Sequence, residues 1–210
     1  TSVNASNFEN SMSNNLKLRI YCTGVGGQGT LLATRLIGEA AMEAGYRAQV
    51  SETHGMAQRG GVVESTVVLG TLASPIISLG EADIVLGFEI LETFRSLNRC
   101  RTATLVVTNT GVNVPYTVAT GTATYPPVDQ MLKIIRGQVD RLIALDATAL
   151  AQQAGSALSV NIVLLGALLL AYAPGALADI ELGHEGQVGR HRLADTIDSP
   201  GAICEIVLPG

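Results

Sequence analysis

Gly24-x-Gly26-x-x-Gly29, followed at once by Thr30, is a spacing with which a chain can hold an anion against its own backbone. A second glycine-bearing stretch, Ser51 to Gly61, carries His54, Gln58 and Arg59 between Gly55 and the pair Gly60 and Gly61. Glycines let amide groups come close to a phosphate or carboxylate, and a helix opening directly afterwards adds unpaired N–H groups and a positive dipole end. The same glycines equally suit a tight turn and close helix–strand packing, so spacing alone leaves both readings open. Arg59 offers a fixed charge on a planar fork, suited to a ligand anion or to a structural ion pair. His54 can shuttle a proton near neutral pH or simply anchor its loop by a hydrogen bond. Glu52 stands where nicotinamide-binding folds place a ribose-binding acid.

The elements that must position these loops follow from periodicity. Leu16 to Thr23 reads as a strand running into the first loop, and Thr30 to Ala44 as a helix with Leu32, Leu36, Ile37 and Ala40 at helical spacing, stopped by Gly45. Strands are expected at 46–51, 62–69, 82–87 and 102–108, with a helix over 89–97. This alternation predicts a single three-layer α/β/α domain, Rossmann-like, on a mainly parallel sheet. Successive strand ends on one edge of such a sheet lie side by side, so the two loops should meet in space. Gly111 to Pro127, rich in Thr, Gly and Pro, predicts an extended excursion. Beyond it, helices are expected over 128–136 and from Ala147, a strand over 142–146, the most apolar helix from Asn161, and a last strand over 203–208.

Composition limits the functions available. A net charge of -5 and a pI near 5.1 argue against nucleic acid or an anionic membrane as partner, because both select clustered Lys and Arg. Apolar residues make up 47% of the 210 residues and charged ones only 15%, a balance that fits either surface that meets a partner protein or a well-filled core alone. Cys22, Cys100 and Cys204 lie far apart without a C-x-x-C pair, so no metal site is expected, and a cluster needing four thiolates cannot be held by this chain unaided. Cys22 and Cys204 fall in strand-like runs and read as small buried hydrophobes, in keeping with a reducing cytoplasm. Thr1 to Asn15 is polar and reads as a flexible tail ahead of a domain over 16–210; it has no apolar signal core. The apolar run 162–173 is too short to span a bilayer, which takes about 20 residues.

On these residues the chain resembles the gamma-type domain of 2-oxoacid:ferredoxin oxidoreductases, and within them the small subunit of the indolepyruvate type. The resemblance rests on Gly24 to Gly29, on Glu52 to Gly61, on Gly80 to Asp83, on the strand end Val106 to Asn109, and on Asn161 to Gly166. It implies a subunit of a thiamine-diphosphate, iron–sulfur enzyme that decarboxylates an aryl 2-oxoacid oxidatively, passing electrons to ferredoxin and the acyl group to coenzyme A. Thiamine diphosphate and the iron–sulfur clusters would then sit on a large partner subunit. The resemblance further implies coenzyme A contact at Gly24, Gly26, Gly27, Gln28, Gly29 and Thr30. It places Gly60, Gly61 and Asn161 at the cofactor and gives His54 and Arg59 the catalytic positions, although Asn161 also suits a plain helix cap. The chain departs from the family pattern after Pro174, where Gly183 to Arg190 is polar and glycine-bearing.

Two other readings compete. One is a freestanding NAD(P)- or flavin-binding oxidoreductase, motivated by the glycine spacing and Glu52; the other is a non-catalytic binding module. In isolation the chain is also a candidate homodimer.

Overall fold

The structure, a computed structural model, describes residues 16–54, 61–113, 124–172 and 205–206. Nine residues from Lys17 to Val25 form β1, whose last six are all buried, the mark of a strand covered on both faces. Around it the strands β2 (Ala48–His54), β3 (Val62–Gly70), β4 (Ala82–Gly87), β5 (Cys100–Asn109), β6 (Arg141–Leu145) and β7 (Glu205–Ile206) build one sheet in the order β2-β3-β1-β4-β5-β6-β7. β1, β4, β5 and β6 are mutually parallel. β3 lies antiparallel between β1 and β2, and β7 lies antiparallel on β6.

The mainly parallel sheet agrees with the expectation; the reversal of β3 refines it. β2 and β3 are joined by residues 55–61 alone, whereas a parallel crossover takes a dozen residues or more. A hairpin is the connection that so short a link permits. It still leaves the end of β2 and the start of β3 on the same edge as the carboxyl end of β1, since Val25 pairs with Val62 and His54 with Val63.

The period-two alternation of the strands divides the core. Cys22, Val67, Leu86 and Val107 point to one face, where α1 (Thr30–Glu43), α4 (Ala147–Gln153) and α5 (Val160–Tyr172) cover them through Ala33, Ala151 and Leu164. Tyr21, Val68, Val85 and Val106 point to the other, under α2 (Ile90–Arg95) and α3 (Val128–Gln138), which contribute Ile90, Met131 and Ile135. Cys22 is fully buried as expected; Cys204 falls outside the described residues, as do the tail 1–15 and the segment 183–190. No helix among the described residues is long and apolar enough to cross a membrane.

α1 approaches the sheet closely because it presents small residues: a methyl group on Gly38 would lie 2.9 Å from Val50 Cγ2. Leu164 of α5 is fully buried on the same face. Leu164→Ala removes a side chain that its packed neighbours cannot replace, and we expect a loss of about 2–5 kcal/mol. Urea unfolding of the variant should show a lowered midpoint at unchanged slope; an unchanged midpoint would mean that α5 does not seal this layer.

Candidate functional site

β1 passes directly into the glycine loop, and Gly24, still within the strand, lies against the end of β4. A methyl group there would stand 2.7 Å from Phe88 Cβ. The loop then turns tightly. The amide of Gln28 donates to the carbonyl of Val25 at 3.2 Å, and the Gln28 side-chain oxygen accepts from the Val25 amide at 2.8 Å. Gly29 has φ +80° and serves as the N-cap of α1, a left-handed conformation that disfavours any side chain; the Asn161 amide nitrogen lies 2.9 Å from where its Cβ would be. Gly24 and Gly29 therefore both have packing reasons. Because no side chain caps α1, the orphan N–H groups of its first turn remain available at the edge.

The two loops are joined as expected: the Gly26 amide donates to the Gly61 carbonyl at 2.9 Å. His54 ends β2 on this edge, while Arg59 and Gly60 fall outside the described residues. Asn161 is 3% exposed in the first turn of α5, one residue past its start, and its side-chain oxygen accepts from the Ile162 amide at 3.0 Å. Glu52 stands 3.4 Å from Arg35 of α1 and is absent from the walls of the cleft described next.

A cleft of about 220 Å³ opens beside the glycine loop. Gly27 and Gln28 form one wall, Gly111, Val112 and Asn113 beyond β5 another, and Thr148, Leu158 and Val160 a third. Leu158 is 85% exposed at its mouth. The cleft sits outside the carboxyl ends of parallel strands, where the chain leaves β1 toward one side of the sheet and β4 and β5 toward the other; this is where open α/β sheets bind ligands. The loop residues are thus joined by a second wall that the motif did not indicate. The topological rule was the signal for it: Asn109 ends β5 and Gly111 follows.

Among the described residues the lining carries no ionisable side chain. It can hold and orient a ligand through backbone amides, Gln28, Asn113 and Thr148, with apolar contact from Val112, Leu158 and Val160. Titratable groups cluster instead beneath the opposite face. Glu89, fully buried, caps α2 by accepting from the amides of Leu91 and Glu92 at 2.8 and 3.1 Å, and it also accepts the Tyr125 hydroxyl. Burial, together with Glu89, holds the Tyr125 phenol well above its ordinary range. Burial likewise raises Glu92 against the opposing pull of Arg95, which pairs with it at 2.7 Å. Burial pushes the thiols of Cys22 and Cys100 up to about 12 and about 11, so neither is a nucleophile at neutral pH. Asp83, from the Gly80 to Asp83 stretch, accepts from the Arg19 amide and pairs with Arg101, a clamp between strands away from the cleft.

The sequence model of the pyruvate ferredoxin/flavodoxin oxidoreductase family matches residues 19–182. The chain belongs to this family. It is 40% identical over 158 residues to the indolepyruvate oxidoreductase subunit IorB of Archaeoglobus fulgidus, covering 75% of this chain and 79% of that one. It is 43% identical over 151 residues to the subunit of the same name from Thermococcus kodakarensis, covering 71% and 75%. Among solved structures, the fold is similar to a pyruvate oxidoreductase subunit from Thermotoga maritima, with a TM-score of 0.54 at 20% identity over 74% of this chain and 76% of that one. A 2-oxoglutarate:ferredoxin oxidoreductase from Magnetococcus marinus, with 2-oxoglutarate, coenzyme A and succinyl-CoA bound, shares the fold at a TM-score of 0.58 and 20% identity. The match covers 77% of this chain and 25% of that one.

At the root of this family's glycine loop, Thr30 Oγ1 is the one buried side-chain polar atom among the described residues with no hydrogen-bond partner. A buried, unsatisfied hydroxyl destabilises by about 1–3 kcal/mol. Thr30→Val keeps the shape and removes the hydroxyl, so the unliganded variant should unfold at a higher urea concentration than the parent. An equal or lower midpoint would show that the hydroxyl is satisfied in solution.

Proposed function

We propose that this chain is the small subunit of an indolepyruvate-type 2-oxoacid:ferredoxin oxidoreductase and that its cleft holds coenzyme A. In that reaction an aryl 2-oxoacid is decarboxylated oxidatively to the acyl-CoA and the electrons reach ferredoxin. The observation that carries the reading is the cleft itself: in a chain of this family, its described walls offer backbone amides, Gln28, Asn113 and Thr148 beside the glycine loop, groups that bind and orient. Among the described residues no three His, Cys, Asp or Glu side chains converge as for a metal. In this reading thiamine diphosphate and the iron–sulfur clusters belong to a larger partner subunit, and the chain alone is inactive.

The residues present fit coenzyme A in part. The uncapped N-terminus of α1 and the unpartnered Thr30 hydroxyl suit a phosphate. The neutral cleft suits an amide-bearing, uncharged arm, with Gln28, Asn113 and Thr148 as polar handles. Its volume of about 220 Å³ lies below the roughly 300–1,000 Å³ of a cleft that encloses a drug-sized ligand, so this chain supplies part of the site. In this reading Arg59 supplies a positive charge and His54 a proton-transfer group to the shared site. Bound coenzyme A supplies the thiol that accepts the acyl group; the residues of this chain orient it and exclude water around it.

The experiment is a melt of the purified chain, with and without its co-expressed large partner, against coenzyme A and NAD. A ligand at about 100 times its dissociation constant adds roughly 2.7 kcal/mol of stability. Stabilisation by coenzyme A alone is expected; stabilisation by NAD alone would overturn the reading in favour of a freestanding oxidoreductase. In the assembled complex, Arg59→Ala should lower turnover of indolepyruvate, and unchanged turnover would remove Arg59 from the site.

A further inference from the structure

We propose that Asn109 is the positioning residue of the cleft, fixing its far wall at a set distance from the glycine loop. It ends β5, is 1% exposed and does not itself line the cleft. Its side-chain nitrogen donates to the Phe88 carbonyl and to Thr148 Oγ1, both at 3.1 Å. Its side-chain oxygen accepts from the amides of Gly111 and Ala147, both at 3.0 Å. A primary amide has two donor hydrogens and an oxygen with two lone pairs, and all four are used. The orientation follows from the partners: two N–H groups must face the oxygen, and a carbonyl must face the nitrogen.

Those four bonds tie together three segments that meet nowhere else in sequence. Phe88 is the residue against which Gly24 packs, so one arm reaches the root of the glycine loop. Gly111 and Thr148 are cleft walls, so the other arms set the opposite side. Tolerance there is small: a methyl group on Gly111 would lie 2.5 Å from Thr148 Oγ1 and 3.0 Å from the Asn109 side-chain nitrogen. No other side chain of this size has two donors and two acceptor sites on a single planar group. Asp loses both donors, and Ala or Leu loses all four bonds.

The consequence for binding rests on the reading of the cleft as the coenzyme A site; the positioning of the walls does not. Residue-by-residue amide exchange of the full chain tests the positioning without ligand. In Asn109→Ala the Gly111 and Ala147 amides should exchange at least about tenfold faster, while Cys22 and Val85 in the sheet core stay within about threefold. In Asn109→Asp, which keeps the acceptor, those two amides should stay protected. If Asn109→Ala does not fold, Asn109→Asp decides. It loses the bond to the Phe88 carbonyl, which has no hydrogen to give, and in the assembled complex it should raise the coenzyme A KM about tenfold with kcat within about twofold. Unchanged exchange at Gly111 and Ala147 in Asn109→Ala, or an unchanged coenzyme A KM or a fall in kcat at constant KM in Asn109→Asp, would overturn the assignment. A parent complex whose turnover ignores coenzyme A would instead remove the functional reading, and amide exchange would still decide the role of Asn109.

Discussion

The Phe88 amide donates to the Thr23 carbonyl at 2.8 Å, and this bond holds the ends of β1 and β4 so close that Gly24 has no room for a side chain. The carboxyl edge of the sheet depends on that approach. On one side of it the chain turns through the glycine loop into α1; on the other, Glu89 turns back to cap α2. Parallel strands whose connections leave in opposite directions necessarily open a crevice between them.

The polar side chains at this edge are distributed by a simple rule. A backbone that stops pairing as strand must find other partners for its N–H and C=O groups, since leaving them buried and unmatched is unfavourable. Glu89 serves the start of α2, Asp146 the start of α4 by accepting from the Ala149 amide at 2.9 Å, and Asn109 the turns after β4, β5 and β6 together. Thr93 and Thr108 share a bond of 2.8 Å directly under Gly87, where an added methyl group would collide with Thr93. Polar side chains at the strand ends thus perform the work that the sheet ladder performs within it.

Much of this was legible in the sequence where the signal is local. The strand 82–87 agrees with β4, the helix start at Thr30 is the observed one, and the glycine spacing marks a real turn. The reversal of β3 was also legible in principle, because residues 55–61 are too few for a crossover. Asn109 is different. Its type and place were visible, but two of its partners lie 38 and 39 residues away, and no periodicity links them. The same holds for Glu89, which as an isolated acid at a strand end looks like a surface residue and is in fact fully buried. Long-range satisfaction of polar groups is set by the tertiary fold, and a local pattern does not contain it.

A cleft whose described lining carries no charge is an informative site for a chain whose net charge is -5. Acidic side chains at the rim would repel an anionic ligand; Glu52 is paired with Arg35, Glu89 and Glu92 are buried on the opposite face, and the exposed Asp146 is turned to the Ala149 amide. The binding surface is left with amide dipoles and neutral side chains, which lose little hydration when a ligand covers them and need no counter-ion. In the proposed function, neutralisation of a multiply charged ligand comes from groups beyond the described lining: Arg59 of the second loop and a partner polypeptide that brings the reacting centre.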